Sequence, residues 1–129
     1  MNKLNVSGRI NDCLNRGHVN LHINIYYRQK ILFQIMLAKH FVSKGIEVRS
    51  EMDFAVVHFF SKAKKDLYDK FLQSDDFEDY LFFEECRGIF TYVNNIGKNA
   101  IYIEEYLYKT LLETYSILEK DVVIEFSVY

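Results

Sequence analysis

The sequence predicts an α+β domain, a mainly antiparallel sheet with helices packed on one face, and three observations carry that reading. Between residues 19 and 27, Val19, Leu21, Ile23, Ile25 and Tyr27 alternate with Asn20, His22, Asn24 and Tyr26, the period of two that marks a half-buried strand. Two other stretches, 29–44 and 100–120, place apolar residues at helical spacing instead. Half of the 129 residues are hydrophobic and sixteen per cent aromatic, enough to fill one core and too apolar for disorder. A single domain over 1–129 follows.

Each element has its own local signal. Ser7 is placed to cap, and Gly17 to end, a short helix over 8–16. After the strand at 19–27, Ile31, Leu32, Ile35, Met36, Ala38 and Val42 predict a core-facing helix over 29–44 that stops at Gly45. Residues 46–49 and 54–60 read as a hairpin around the polar turn 50–53. Ser61 then caps a helix over 62–72 whose Lys62, Lys64, Lys65 and Lys70 read as a solvated face, followed by an acidic loop at 74–79. Residues 80–83 and 89–93 are β-rich, with either a turn or a bulge at Gly88 between them. Asn99 caps the helix over 100–120, with Glu105, Lys109, Glu113, Ser116 and Lys120 as its polar stripe, and 122–129 is a final strand. The order is a duplication in outline, two pseudo-symmetric strand–helix–strand–strand modules at 18–60 and 80–129 joined by 61–79, although the letters themselves do not repeat.

Sixteen basic residues against eighteen acidic ones leave a net charge of −2, so no overall field draws nucleic acid or an anionic membrane. Cys13 and Cys86 are too few for a disulfide scaffold, residues 1–16 lack the apolar run of a signal peptide, and no stretch approaches membrane-spanning length. A cytoplasmic protein is expected. Cys13, His18 and His22 have the outline of a metal-ligand run, but positions 18 and 22 of a strand stand about 13 Å apart, too far to share one ion. His40 in a helix and His58 in an apolar strand read as hydrogen-bonded or partly exposed side chains. Ser7, Ser43 and Ser61 fall at helix ends where capping explains them, Cys86 reads as a structural thiol, and five glycines supply neither a phosphate loop nor a nucleophile elbow. No enzyme, metal or cofactor is expected.

In the last strand Val122, Ile124, Phe126 and Val128 share one face, and Val123, Glu125, Ser127 and Tyr129 the other. Glu125 either stands on a solvated sheet face or lines a cleft, where a carboxylate among aromatic rings selects a hydrophobic cation. The acidic run containing Asp75, Asp76 and Asp79 is the candidate surface for a protein partner.

The second half, RGIFTYVNNIGKNAIYIEEYLYKTLLETYSILEKDVVIEFSVY, has Gly88 leading into a β-rich stretch, then a loop, an amphipathic helix and a last strand with an acidic residue followed by tyrosine. In this it resembles the closing module of gyrase-inhibitor-like domains, the bacterial effector-binding domains. The resemblance implies a cleft between two modules that binds lipophilic, often cationic molecules, with Glu125 facing it and Tyr92, Tyr102, Tyr106 and Tyr129 in the same half. With no DNA-binding segment ahead of the domain, it implies a stand-alone, non-enzymatic module that takes a small hydrophobic or cationic ligand or a segment of a partner protein. The alternative is a small cytoplasmic immunity, antitoxin or secretion-accessory protein that acts by protein–protein contact.

Overall fold

A computed structural model of the chain describes residues 5–17 and 20–129. His18 and Val19, on which the metal-run reading and the start of the first strand rest, lie outside them. The described residues form a six-stranded antiparallel sheet from β1 (Leu21–Tyr27), β2 (Lys30–Leu37), β3 (Phe54–Phe60), β4 (Leu81–Cys86), β5 (Ile89–Gly97) and β6 (Val122–Val128), in the order β4-β5-β3-β2-β1-β6. Three helices, α1 (Val6–Arg16), α2 (Lys65–Leu72) and α3 (Ala100–Lys109), pack on one face. The expected α+β class is what forms.

The period of two decides which side chains meet. Ile23 and Ile25 of β1, Phe33 and Ile35 of β2, Val56, His58 and Phe60 of β3 and Tyr92 of β5 turn toward the helices, where Val6 and Ile10 of α1, Phe71 of α2 and Ile103 and Leu107 of α3 cover them. Burying each large apolar side chain in this layer contributes about 1.5–3 kcal/mol. On the opposite face Ala55, Val57 and Val93 are covered by Ala38, Phe41 and Ile46, from a 3-10 turn over Ala38–Lys44 and the loop after it. The rest of that face, at the β1–β6 side, is polar.

Local chemistry accounts for the element ends. Asn5, rather than Ser7, caps α1, its Oδ1 accepting from the Gly8 amide at 2.9 Å; a Cβ at residue 8 would stand 2.3 Å from the end of the Asn5 side chain, which would have to shift to keep the cap. Ser7 instead donates its backbone N–H to Glu104 of α3 at 3.2 Å, tying the two helices. Gly17 and Gly45 end their segments in the left-handed region, with φ of 76° and 99°. Asn99 caps α3 by accepting from the Tyr102 amide at 3.0 Å.

Three expectations are corrected. Residues 30–37 form a central strand, not a helix: the run ILFQIML is apolar on both parities and fits either period, and neighbours on both edges with cover on both faces select the strand. A bulge near Leu32 shifts the β1–β2 register and adds to the helical look of the spacing. Residues 46–49 form no strand; Asp53 holds that loop, its Oδ2 accepting from the amides of Arg49 and Ser50 at 2.9 and 3.2 Å and from Asn95 Nδ2 at 3.2 Å. Burial works against the Asp53 carboxylate, but these donors and Lys98 outweigh it and hold its pKa below the usual value.

The third is the last helix, which ends at Lys109 and opens into a π-turn over Thr110–Thr114, after which Tyr115 enters the core and Ser116 adopts a φ of 54°. The strand–helix–strand–strand repeat expected over 18–60 is therefore absent from the described residues 20–60, and β6 crosses the molecule to pair with β1.

Candidate functional site

Sequence-predicted positions divide between two faces of the sheet. Glu125 is exposed on the open face and ends an amide ladder: Gln34 Nε2 donates to Asn24 Oδ1 at 2.7 Å, and Asn24 Nδ2 donates to Glu125 Oε1 at 3.1 Å, with Tyr26 and Ser127 hydroxyls at 3.4 and 3.3 Å. Tyr129, 76% exposed, meets the His22 ring edge-on at 4.7 Å between centroids. Tyr92 and Tyr106 are buried on the other, helix-covered face, and Tyr102 lies half exposed on α3. The structure brings Tyr92 and Tyr106 into one aromatic layer and does not bring Glu125 to them, because residues 57 and 58 of β3, in register with Glu125's row and with Tyr92 respectively, point to opposite faces.

The acidic run is split as well. Asp75 and Asp79 are exposed, whereas Asp76 turns inward and accepts a hydrogen bond from the Tyr106 hydroxyl. That bond starts a chain through the core. Tyr106 Oη lies 2.9 Å from Tyr80 Oη, Tyr80 Oη 3.0 Å from His58 Nε2, and His58 Nδ1 2.6 Å from Tyr115 Oη. One direction satisfies every group. Tyr106 gives its proton to the Asp76 carboxylate and so accepts from Tyr80; Tyr80 then accepts from Nε2–H of a neutral imidazole, whose Nδ1 accepts from Tyr115. His58 is fully buried against Phe33, Phe60 and Phe71, and burial, reinforced by Lys64, lowers its pKa to about 3. Burial likewise pushes the Tyr80 and Tyr115 hydroxyls well above their ordinary value. His58 is thus the hydrogen-bonded strand residue its setting predicts; its ring is enclosed, and the chain reaches the surface at Asp76, which borders a small hollow of about 110 Å³ beside Asp75, Lys109 and Glu113.

A different place is open. Between the β1–β2 turn and the start of α2 lies a cleft of about 400 Å³, floored by Leu32 and Leu67 and lined by Tyr27, Arg28, Lys30, Lys64, Asp66 and Lys70. Four cations face one carboxylate in a chain whose net charge is −2. Arg28, in the lining, and Gln29 after it have φ of 50° and 67°, the left-handed pair of a two-residue hairpin turn, adopted here without glycine at a strain of about 1 kcal/mol or more per residue. The Arg28 guanidinium lies 4.9 Å from the centre of the Tyr27 ring. Lys64 Nζ donates to the carbonyls of Ile31 and, at 3.3 Å, Phe59; Lys70 Nζ donates to the Tyr115 carbonyl at 3.1 Å. The carbonyls fix the two ammonium groups without neutralising them. Among the described residues the ion pair that forms is Lys65 with Asp69 at 3.3 Å, so none of the four cleft cations is neutralised at that range.

A second hollow of about 380 Å³, between α1 and β6, carries no such imbalance: Arg9 covers the Phe126 ring at 4.7 Å and Asp12 stands beside it. Among the described residues no group of three His, Cys, Asp or Glu side chains is placed to hold a metal, and no helix is long and apolar enough to cross a membrane.

Lys62, Lys65 and Lys70 are exposed, as a solvated face requires, and Lys64 is half buried; what that reading did not contain is the cleft that Lys64 and Lys70 help to line. Two signals pointed to it. Lys62, Lys64 and Lys65 crowd the start of a helical segment, where the backbone dipole disfavours cations, and an Arg-Gln turn occupies a hairpin loop that ordinarily takes Asn-Gly. In comparisons with known proteins, no family model matches the chain, and no curated protein or solved structure matches it. These comparisons neither support nor oppose the resemblance to gyrase-inhibitor-like domains.

Proposed function

We propose that the protein is a non-enzymatic, cytoplasmic binding module whose ligand is a small organic anion, a phosphate or carboxylate compound, held in the cleft between the β1–β2 turn and α2. The observation that carries this reading is the unneutralised cluster of Arg28, Lys30, Lys64 and Lys70 around a cavity of about 400 Å³. That volume falls within the range of small-molecule sites, and its floor of Leu32 and Leu67 gives an organic ligand apolar surface to cover. The binding module read from the sequence is kept while the charge of its ligand is reversed, because the cleft is cationic and Glu125 is engaged in a ladder on the opposite face. Like charges held together in excess over the single Asp66 carboxylate repel one another, so an anion gains from each at once, and the gain shrinks as salt rises.

Calorimetric titration with sodium pyrophosphate at low ionic strength is the test. Saturable binding that weakens at least tenfold, about 1.4 kcal/mol, in Lys30→Glu and falls as sodium chloride is added supports the reading. Absence of binding, or binding indifferent to Lys30→Glu, overturns it.

A further inference from the structure

We propose that Lys64 is the amine with which this cleft captures small anionic carbonyl compounds, as a reversible imine; this rests on the anion reading of the same site. Lys64 stands half buried at the cleft wall, its Nζ held by the carbonyls of Ile31 and Phe59, with no carboxylate at ion-pair distance among the described residues. The deprotonated fraction of this amine is the nucleophile.

The groups around it act in the same sense. Arg28 from the turn, Lys30 from β2 and Lys70 from α2 are cations, and Asp66 is the opposing charge in the lining. Burial first, and then Lys30, lowers the Lys64 pKa. A desolvated lysine beside other cations is the arrangement that turns an ammonium into a nucleophile near neutral pH. Those neighbours would also hold the phosphate or carboxylate of an incoming aldehyde or ketone beside the amine.

The step balances without an oxidant or reductant. The nitrogen lone pair attacks the carbonyl carbon and forms the C–N bond, while the carbonyl oxygen takes up a proton and the nitrogen releases one, giving a carbinolamine. Loss of the hydroxyl together with the remaining N–H proton, as water, then leaves the C=N bond, and the return of water releases the carbonyl compound unchanged.

The test uses pyridoxal 5′-phosphate as a probe that is both aldehyde and anion. The native protein is treated at pH 7 with the probe and sodium cyanoborohydride, whose hydride reduces the imine to a stable secondary amine, and the modified lysines are mapped by mass spectrometry. Lys64 is expected to be modified at least tenfold faster than the exposed Lys62 and Lys65, and Lys64→Arg, checked for folding by circular dichroism, to lose that adduct. Modification spread evenly over surface lysines, or absent from Lys64, overturns the proposal. Pyridoxine 5′-phosphate, an alcohol with the same phosphate, separates the two claims. If it binds the cleft while Lys64 stays unmodified, the carbonyl proposal falls and the anion reading stands; if neither compound binds, both fall.

Discussion

His58 and Lys64 are both nitrogen bases withdrawn from water, and their surroundings differ in a way that separates architecture from site. His58 is enclosed on all sides, each ring nitrogen has a tyrosine hydroxyl, and the chain ends on a carboxylate. Lys64 is half buried at the wall of a cleft, held by two carbonyls and surrounded by cations. A buried polar group with every partner present leaves a ligand nothing to supply. One placed among unneutralised like charges has an unmet requirement that an anion fills.

Changes at His58 should accordingly damage stability, and changes at the cleft should damage binding. The largest stability effect is expected from His58→Ala, which opens a cavity among Phe33, Phe60 and Phe71 and leaves the Tyr80 and Tyr115 hydroxyls without their partner. A loss of roughly 3 kcal/mol or more in urea unfolding is predicted. A loss under about 1 kcal/mol would mean that the chain does not organise the core.

Next in size is the pH response. His58 titrates near 6.5 when unfolded and at about 3 when folded, so between those values the unfolded chain binds a proton that the folded one does not. Its contribution is fully present above pH 6.5 and is lost as pH falls toward 3, with a slope of up to about 1.4 kcal/mol per pH unit. Asp53, whose folded pKa is depressed, adds a loss of the same sign only near and below its ordinary value of 3.8. Burial, and then His40, also lower the His22 pKa, which adds a loss of the same sign between pH 7 and pH 5; in urea titrations at those two values His58→Gln should therefore shrink the difference without abolishing it. Equal slopes in both proteins would refute the assignment.

Smaller again is Tyr115→Phe, which deletes one hydroxyl from the chain and should destabilise by about 1–3 kcal/mol in the same assay. Glu125→Gln closes the series. On an exposed strand position it should change stability by no more than about 0.5 kcal/mol and leave pyrophosphate affinity untouched; a marked loss of affinity would move the site to the open face.

How much of this was legible in the letters depends on how far apart the cooperating residues lie. Local signals worked: the alternation in β1, the Asn99 cap, the Gly17 stop and the last strand are each contained in a few residues. Residues 30–37 failed because a run apolar on both parities satisfies both periods, and only the strands beside it choose. The helix over 100–120 was cut short for a similar reason. Tyr115 leaves it to meet His58, fifty-seven positions away. The cleft joins residues 27–32 to residues 63–70, two segments whose adjacency is created by the sheet, so its charge balance could not be summed from sequence order.

Backbone amide NMR during titration with pyrophosphate tests the central claim most directly. The account predicts saturable shifts concentrated at residues 27–32 and 63–70, with β6 and the Asp75–Asp79 loop unmoved. Shifts centred on β6 around Glu125, or none that saturate, would contradict it.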